Sequence, residues 1–468
     1  MLQICINDKE QVLEAIKEGN IDTASSAFGN LIDDIVLKME QMGLPALFED
    51  VLEDKRCGKN KQIPLKFFFT LVIAAKMKIK TSLTDIPFAI NDADTLAQLG
   101  WNLYDTERDI EEGLISDGMI RGFLSKYQKN TEYNNEFIDL YNNFVKAVKD
   151  KLDIVPYIHI LDCTDIEVNL DNDNYEKSEV VKDEDGTRRG YKLATLRGLT
   201  ENSGIIEEID IGSIKSHDTK VSDNIIKNSS ALKRGDILIN DRGFISRDTI
   251  NMLKNEKGVD SYIPAKKNMD LYKEAVSIAK SKGKWEKHPN KKRKTQEIAF
   301  VSGLGSMWRS DKADKDVDIN VCVVRDKISE EEYDYYVFMT TDLSVSAKQI
   351  IKTYELRPEV EEDYRQLKDF WKLQDFKSTK YVHITFHMAM LLIGYLFFQL
   401  YKDTEEGKQY AKKSLPIVLK NYVRKKKASV VVYAGSYFAT FDLLEIMQLY
   451  ASCGAEVRKH LDVIFSKV

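Results

Sequence analysis

The sequence predicts a mixed α/β protein, with an α/β core between two flanking regions that are helical. Apolar residues recur at helical spacing near the N-terminus, strand-like runs begin near residue 155, and long apolar runs return after residue 368. The chain has 468 residues, of which 43% are hydrophobic, enough for two or three domains with buried cores. We expect domains at residues 1–150, 151–400 and 401–468.

The N-terminal region shows the i, i+3, i+4, i+7 spacing of amphipathic helices. The clearest example is a set of five apolar residues: Leu31, Ile32, Ile35, Val36 and Met39. A second short amphipathic helix is expected after the capping residue Ser116. Two interpretations of the region remain open, a module that recognises DNA ends and a plain packing domain. The cations Arg121 and Lys126 are too few to decide between them.

Strand-like runs define the core. Residues 155–161 are β-rich and end at Asp162, and runs at 191–199 and 204–211 follow. A helix, a short strand that ends before Asp241 and a further helix come next. Strand, strand, strand, helix, strand, helix is the order of a ribonuclease-H-like α/β domain.

An inserted β subdomain is predicted at about residues 266–340, where strand-like runs interrupt that order. Its first part, residues 266–294, holds eleven Lys and Arg against three acidic residues. This run is either a solvated, flexible face or a patch that follows DNA phosphates. The most basic part consists of four consecutive residues: Lys291, Lys292, Arg293 and Lys294.

Composition excludes several classes of protein. The net charge of −6 argues against indiscriminate nucleic-acid binding but leaves room for local basic grooves. Five scattered cysteines without C-x-x-C spacing indicate a reduced, cytoplasmic protein that has neither a zinc site nor disulfides. No secretory signal is evident. Residues 381–401 are long and apolar, but His383, Thr385, His387 and Gln399 favour a buried core helix, so we expect no membrane contact.

Three carboxylates are candidate catalytic residues and metal ligands. Asp162 ends the first strand, Asp241 ends a later strand, and Glu361 lies on a helix beyond the insertion. Such carboxylates can converge on two divalent ions about 4 Å apart and support attack on a phosphodiester. Oxygen ligands without a Cys/His cluster favour Mg²⁺ or Mn²⁺. Asp165 competes with Asp162, which we prefer because it follows the strand directly.

The segment around Glu361 carries a stripe of functional side chains. Tyr354, Arg357, Glu361 and Lys368 recur at i, i+3, i+7 and i+14, which places them on one helical face. The hydroxyl and the two cations suit phosphates, and the carboxylate suits a divalent ion. Because Pro358 disfavours helical geometry at the preceding residue, the stripe is expected to be continuous only from Pro358 onward. The alternative is a solvated face with ion pairs.

These motifs resemble those of the DDE transposases of bacterial insertion sequences, specifically the insertion-sequence-four family. Its signature of Tyr, two residues, Arg, three residues, Glu, six residues, Lys matches the stripe without a gap. Its Asp-x-Thr and Asp-Arg-Gly motifs match at Asp162 and Asp241. The 120 residues that separate Asp241 from Glu361 fit a family that inserts a β subdomain there. The resemblance covers about residues 155–400.

The resemblance implies an activity. It implies metal-dependent cleavage at the transposon ends, transfer of the freed 3′-hydroxyl into target DNA, and release of flanking DNA through a hairpin. Its partners would be double-stranded DNA, as terminal inverted repeats and as target, and a second copy of the chain in a homodimer assembled on DNA. The protein would then act in the cytoplasm, at the nucleoid.

The resemblance also implies DNA-binding roles. Tyr354, Arg357, Lys368 and Arg242 would contact phosphates. Family members tend to have an aromatic residue before the signature that stacks on a flipped base, and Tyr336 or Tyr335 occupies that region. A tyrosine in the strand core is the other interpretation.

Two rival functions remain. One is a domesticated nuclease of the same fold, which cuts DNA but does not join it. The other is a catalytically silent DNA-binding regulator. The presence of all three carboxylates with the full signature argues against a silent protein.

Overall fold

The computed structural model describes residues 5–27, 29–56, 63–101, 115–127, 133–183, 186–200, 204–308, 316–330, 332–422 and 429–467. The chain divides into two compact units. The terminal unit comprises Met1–Val148 and Leu367–Val468, and the core unit comprises Lys149–Gln366.

The first part of the chain is mostly helical, as predicted. Asn30 caps the helix that buries the five apolar residues, and Ser116 caps the other predicted helix. Its elements are β1 (Ile6–Asn7), α1 (Lys9–Glu18), β2 (Thr23–Ala27), α2 (Leu31–Gln41), α3 (Phe48–Val51), α4 (Leu65–Met77), α5 (Ala93–Gln98), α6 (Asp117–Leu124) and α7 (Glu136–Leu152).

The middle of the chain alternates strands and helices. Its elements are β3 (Ile158–Val168), β4 (Glu179–Asp183), β5 (Gly186–Leu199), β6 (Gly204–Ser213), α8 (Asp218–Val221), α9 (Asp223–Asn228), β7 (Ile237–Asn240), α10 (Arg247–Met252), β8 (Asp260–Pro264), α11 (Asp270–Lys282), β9 (Glu286–Lys287), β10 (Gln296–Val301), β11 (Asn320–Lys327), β12 (Tyr333–Thr340), α12 (Ala347–Tyr354) and α13 (Pro358–Arg365).

The last part of the chain contains strands as well as helices, which differs from the purely helical flanks that the sequence predicted. Its elements are α14 (Tyr381–Asp403), α15 (Leu415–Tyr422), β13 (Ser429–Ala434), β14 (Tyr437–Asp442), α16 (Leu443–Ser452) and α17 (Ala455–Lys467). Strands β1, β14, β13 and β2 form one sheet, in that order. The run of valines in β13 favours a strand, but its pairing with the distant β2 could not be read locally.

Among the described residues, α14 is the one helix long and apolar enough to cross a membrane. Of its most apolar 18-residue window, 94% is buried. This is the position of a core helix, as the sequence predicted.

A second, larger sheet forms the core unit. Strands β6, β5 and β3 pair antiparallel, and β3, β7 and β8 then run parallel to one another. The predicted insertion continues this sheet, because β12 pairs with β8 and is followed by β11, β10 and β9. The insertion is therefore not a separate sheet. It also includes the helix α11.

Successive residues of β3 face opposite sides of the sheet. Leu161 packs in the core that contains Leu238, and Ile160 packs in a second core with Ile350 of α12 and Val360 of α13. Asp162 is two residues beyond Ile160, so the strand period directs it toward the face covered by α12 and α13. This alternation positions the first candidate carboxylate.

Candidate active site

Asp162 and Asp241 lie at equivalent positions on neighbouring strands. Pairing between the parallel strands β3 and β7 ends at Leu161 and Asn240, and the two aspartates follow directly. Their side chains therefore lie at the same edge of the sheet, where ligands bind in many α/β proteins. Strand β3 does not stop at Asp162 as predicted but continues in its pairing with β5. What ends at this point is only the pairing with β7.

Backbone groups orient both aspartates. The backbone N–H of Cys163 donates to Oδ1 of Asp162 at 2.9 Å, and that of Arg242 donates to Oδ1 of Asp241 at 2.7 Å. Asp162 is only 8% exposed, and burial raises its pKa to about 6 although the Arg357 guanidinium opposes the shift. The carboxyl is thus less acidic than a surface aspartate and depends on a nearby cation to stay ionised.

Arg357 brings the three candidate carboxylates together. Its Nη2 lies 3.0 Å from Oδ2 of Asp162 and 3.7 Å from Oδ2 of Asp241, and its Nη1 lies 2.5 Å from Oε1 of Glu361. Residues far apart in the sequence therefore converge on one guanidinium. Asp162 is mostly buried, whereas the Glu361 side chain is 55% exposed.

Helix α13 is fixed against the sheet by a tyrosine that the sequence analysis missed. The Tyr364 hydroxyl lies 2.6 Å from Oγ1 of Thr195 on β5 and donates to the backbone carbonyl of Asp162 at 2.8 Å. These bonds tie α13 to both strands beside the site. Tyr364 follows Glu361 by three residues, but nothing in its spacing alone showed which strand it would meet.

An ion-pair cluster also holds α13. Arg197 on β5 donates to Asp363 at 2.5 Å and to Glu359 at 2.9 Å. Arg197 is 5% exposed, so its charge requires partners. Arg197 lies in a predicted strand between Leu196 and Gly198, and a charged residue in a strand of the core was the signal that could have revealed this contact.

The predicted stripe is not one continuous helix. Helix α12 ends at Tyr354 and α13 restarts at Pro358, as the proline indicated. A further irregularity, a π turn over Gln366–Phe370, contains Lys368. Lys368 lies two residues beyond Gln366, the last residue of the core unit, and belongs to the terminal unit. The core unit therefore brings together Tyr354, Arg357 and Glu361 but not the fourth member.

A groove of about 630 Å³ adjoins the carboxylates, and Tyr336, Tyr354 and Arg357 line it. The Tyr354 ring packs on Phe338 with the ring centroids 4.8 Å apart, and burial raises the pKa of its hydroxyl, which stays protonated and able to donate. Tyr336 is 42% exposed. Tyr335 instead packs against Trp285, so Tyr336 is the tyrosine that faces the groove.

The most basic part of the run at residues 266–294 forms an exposed turn before β10. Lys291, Lys292, Arg293 and Lys294 are all exposed. Nε of Arg293 donates to Oε1 of Glu355 at 2.9 Å, and Arg293 also lines the groove. The turn thus borders the groove beside the carboxylates. Arg242, directly after Asp241, is exposed as well.

Asp165, the competing first carboxylate, belongs to a different ion pair. It lies three residues beyond Asp162 on β3, so its side chain points to the opposite face of the strand. Its Oδ2 accepts from Nη1 of Arg188 at 2.7 Å. The structure therefore places Asp165 away from the Arg357 cluster.

Carboxylate oxygens are ligands that hard divalent cations prefer, so the three candidate carboxylates have the right chemistry for such an ion. In the structure they surround the positive charge of Arg357 instead. In the described part of the chain, however, no group of three or more His, Cys, Asp or Glu side chains is close enough together to hold a metal ion. The guanidinium supplies the positive charge in the arrangement observed here.

Residues 155–397 match the family model of the transposase DDE domain, and this match covers more than half of the chain. The chain belongs to that family. A comparison with curated proteins gives no match. The DDE domain begins just before β3 and includes Asp162, Asp241 and Glu361. Membership of the family indicates a transposase that acts on DNA.

Proposed function

We propose that the protein is a DNA transposase of the insertion-sequence-four family. It would cleave DNA at the ends of a mobile element and join the freed 3′-hydroxyl to target DNA. The convergence of Asp162, Asp241 and Glu361 on Arg357, inside a DDE domain, carries the proposal. These carboxylates come from β3, from the residue after β7 and from α13, so the tertiary fold brings them together.

The strand order supports a ribonuclease-H-like core. Three antiparallel strands, β6, β5 and β3, are followed by the parallel strands β7 and β8. The first carboxylate lies on the central β3 and the second follows β7, its parallel neighbour. The strands β9–β12 support an insertion at about residues 266–340. In this proposal residues 1–150 recognise DNA ends, and residues 401–468 form a C-terminal region.

Asp162, Asp241 and Glu361 would hold Mg²⁺ or Mn²⁺, as two ions. When bound, the ions would lower the pKa of the attacking water or 3′-hydroxyl and stabilise the leaving oxygen. The chain itself orients two of the ligands, through the backbone N–H groups of Cys163 and Arg242. Tyr364 holds the helix that carries the third.

Double-stranded DNA is the proposed partner, bound by a homodimer. Tyr354, Arg357, Lys368 and Arg242 would contact phosphates near the cleaved bond. The partial exposure of Tyr336 in the groove supports stacking on a flipped base, since an aromatic ring facing open space can accept a base without displacing core packing. The exposed turn at residues 291–294 would follow the phosphate backbone.

The test is a cleavage and strand-transfer assay with paired transposon ends and Mg²⁺. We expect Asp162→Asn, Asp241→Asn and Glu361→Gln each to abolish both reactions and leave end binding largely intact, because phosphate contacts supply most of the affinity. Asp165→Asn is the matched control and should be milder. Cleavage without joining by the wild-type protein would indicate the nuclease instead. Binding without either reaction would indicate the silent regulator.

A further inference from the structure

The terminal unit contains a cavity of about 470 Å³ with a basic lining. Four Lys and Arg side chains, two histidines and four hydroxyl side chains contribute to its wall. No described Asp or Glu lines it. The rim cations Arg121, Lys377 and Lys380 are exposed, and Lys76 is buried. None of the three candidate carboxylates lines the cavity.

Lys76 is the strongest indication of a ligand. The residue is 2% exposed, and its ammonium donates only to the backbone carbonyls of Thr81 and Lys80, at 3.3 and 3.5 Å. Among described residues no carboxylate lies within ion-pair distance of it. Burial lowers its pKa to about 8, so the side chain is mostly charged at neutral pH. Asp375 and Asp85 attract its charge only from beyond ion-pair distance, so they offset the cost of burial in part, and an anion in the cavity would offset more of it.

Three carboxylates lie near the cavity: Asp85 attracts the charge of Lys76, and two others are engaged at the rim. Asp375 accepts from Nζ of Lys377 at 2.6 Å and from Oγ1 of Thr81 at 3.0 Å. Asp117 accepts from Nε of Arg121 at 3.3 Å. These three negative charges do not balance the four cations Lys76, Arg121, Lys377 and Lys380. The cavity therefore keeps a net positive charge.

The start of α14 adds to this positive potential. No side chain caps the helix, and its flanking residue Lys380 and first-turn residue His383 line the cavity. The N-terminal end of this 23-residue helix carries a partial positive charge. Farther along α14, burial and the charge of Lys76 lower the pKa of His387, which is neutral at physiological pH.

We propose that this cavity binds a phosphate group. A phosphate carries up to two negative charges and several strong acceptor oxygens, which matches a wall of cations, hydroxyls and a helix N-terminus. The bound group is either a small free phosphate or a phosphate of the DNA backbone. The inference does not depend on the cleavage chemistry, because every residue that carries it lies in the terminal unit.

Two cavity variants test the proposal. Lys76→Met removes the buried charge and keeps the chain length, with the buried Lys402→Met in the same unit as its control. Lys377→Gln with Lys380→Gln removes two exposed rim cations. Its control is Lys408→Gln with Lys412→Gln. Both lysines are exposed, and Lys408 forms an ion pair, as Lys377 does.

Each protein is titrated with inorganic phosphate by calorimetry and with a DNA duplex by fluorescence anisotropy at several salt concentrations. If the source is free phosphate, we expect phosphate affinity to fall about tenfold or more in the cavity variants and in neither control. If the source is DNA, the salt slope of duplex binding falls by about two in the rim variant only. Either result supports the site. Unchanged phosphate binding together with an unchanged slope overturns it. The rim variant keeps the test valid if Lys76→Met does not fold.

Discussion

Nη2 of Arg357 lies 3.0 Å from Oδ2 of Asp162, although 195 residues separate them in the sequence. The contact is mostly shielded from solvent, since the two side chains are 18% and 11% exposed. Burial alone would favour the protonated Asp162, and the guanidinium counteracts this effect. The guanidinium thus favours the ionised form of the first candidate catalytic carboxylate.

Replacing Arg357 with alanine is expected to destabilise the metal-free protein by about 2–3 kcal/mol, because three carboxylates lose their shared cation. Mg²⁺ should restore part of this loss, since it supplies positive charge at the same carboxylates. Urea unfolding with EDTA and with Mg²⁺ measures both effects. Arg365→Ala, which breaks an exposed ion pair with Glu362 on the same helix, is the control and should change little. Equal stability of the Arg357 variant and the control would contradict the prediction.

The second prediction concerns the role of Arg357 on DNA. Arg357→Lys should reduce cleavage more than a conservative change suggests, because lysine cannot offer the two-pronged guanidinium contact. Single-turnover cleavage of pre-nicked and intact end substrates, at matched Mg²⁺ and salt, measures the loss. Normal rates on both substrates would indicate that Arg357 contributes only to folding.

Tyr354→Phe should slow the step in which the DNA is most distorted by roughly ten- to a hundred-fold, and the first nick less. The change removes one hydroxyl, and a hydrogen bond to a charged phosphate is worth about 1.5–3 kcal/mol. A time course on pre-nicked and intact substrates separates the two steps. Tyr272→Phe is the control, since it removes a hydroxyl bonded to the Tyr335 carbonyl. Equal losses on both substrates would indicate general binding instead.

Neutralising the turn at residues 291–294 should lower the salt slope of DNA binding by up to about four. A value nearer three is expected if the ion pair of Arg293 with Glu355 persists on DNA. Anisotropy titrations over a range of salt concentrations measure the slope. Neutralising the exposed Lys227, Lys233 and Arg234 in the same unit serves as the control. An unchanged salt slope would indicate that this turn is a solvated face that does not contact DNA.

His159 predicts a pH dependence of stability. It is fully buried, with Nδ1 2.6 Å from Oε2 of Glu207 and Nε2 3.2 Å from Oδ2 of Asp236. Burial lowers its pKa, but the hydrogen bonds to Asp236 and Glu207 outweigh that effect and raise the pKa to about 9. Because the pKa is higher in the folded than in the unfolded state, the stabilisation is complete below about pH 6.5 and is lost as pH rises through about 9.

The measurement is the free energy of unfolding in urea between pH 6 and pH 10, for the wild type and for His159→Gln. The advantage of the wild type over the variant should shrink across this range. Taking the difference removes the contribution of other titrating groups, such as Lys76. A constant difference would show that the pKa of His159 is the same in the folded and unfolded states.

Local sequence was sufficient for several features. The apolar periods predicted α2 and the buried α14, and Pro358 predicted where α13 restarts. Strand-like runs predicted β5, β6 and β7. These features depend on side-chain period and on the steric limits of proline, which act between near neighbours in the chain.

Other features could not be predicted from residues that are neighbours in the sequence. The sequence did not show that β13 pairs with the distant β2, or that the insertion continues the main sheet. The bonds from Tyr364 and Arg197 to their partners were also missed. Each depends on which distant segment becomes a neighbour, and strand pairing is decided by long-range packing.

The sequence by itself determined which residues were candidates: Asp162, Asp241, Glu361 and the side chains around them. The tertiary structure decided which of them meet. The parallel register of β3 and β7 placed the two aspartates side by side, and the packing of α13 brought Glu361 and Arg357 to the same edge. It also separated Asp165 from them. The spacing of the motifs identifies the candidate residues. Whether their side chains converge depends on sheet pairing and helix packing between segments more than a hundred residues apart.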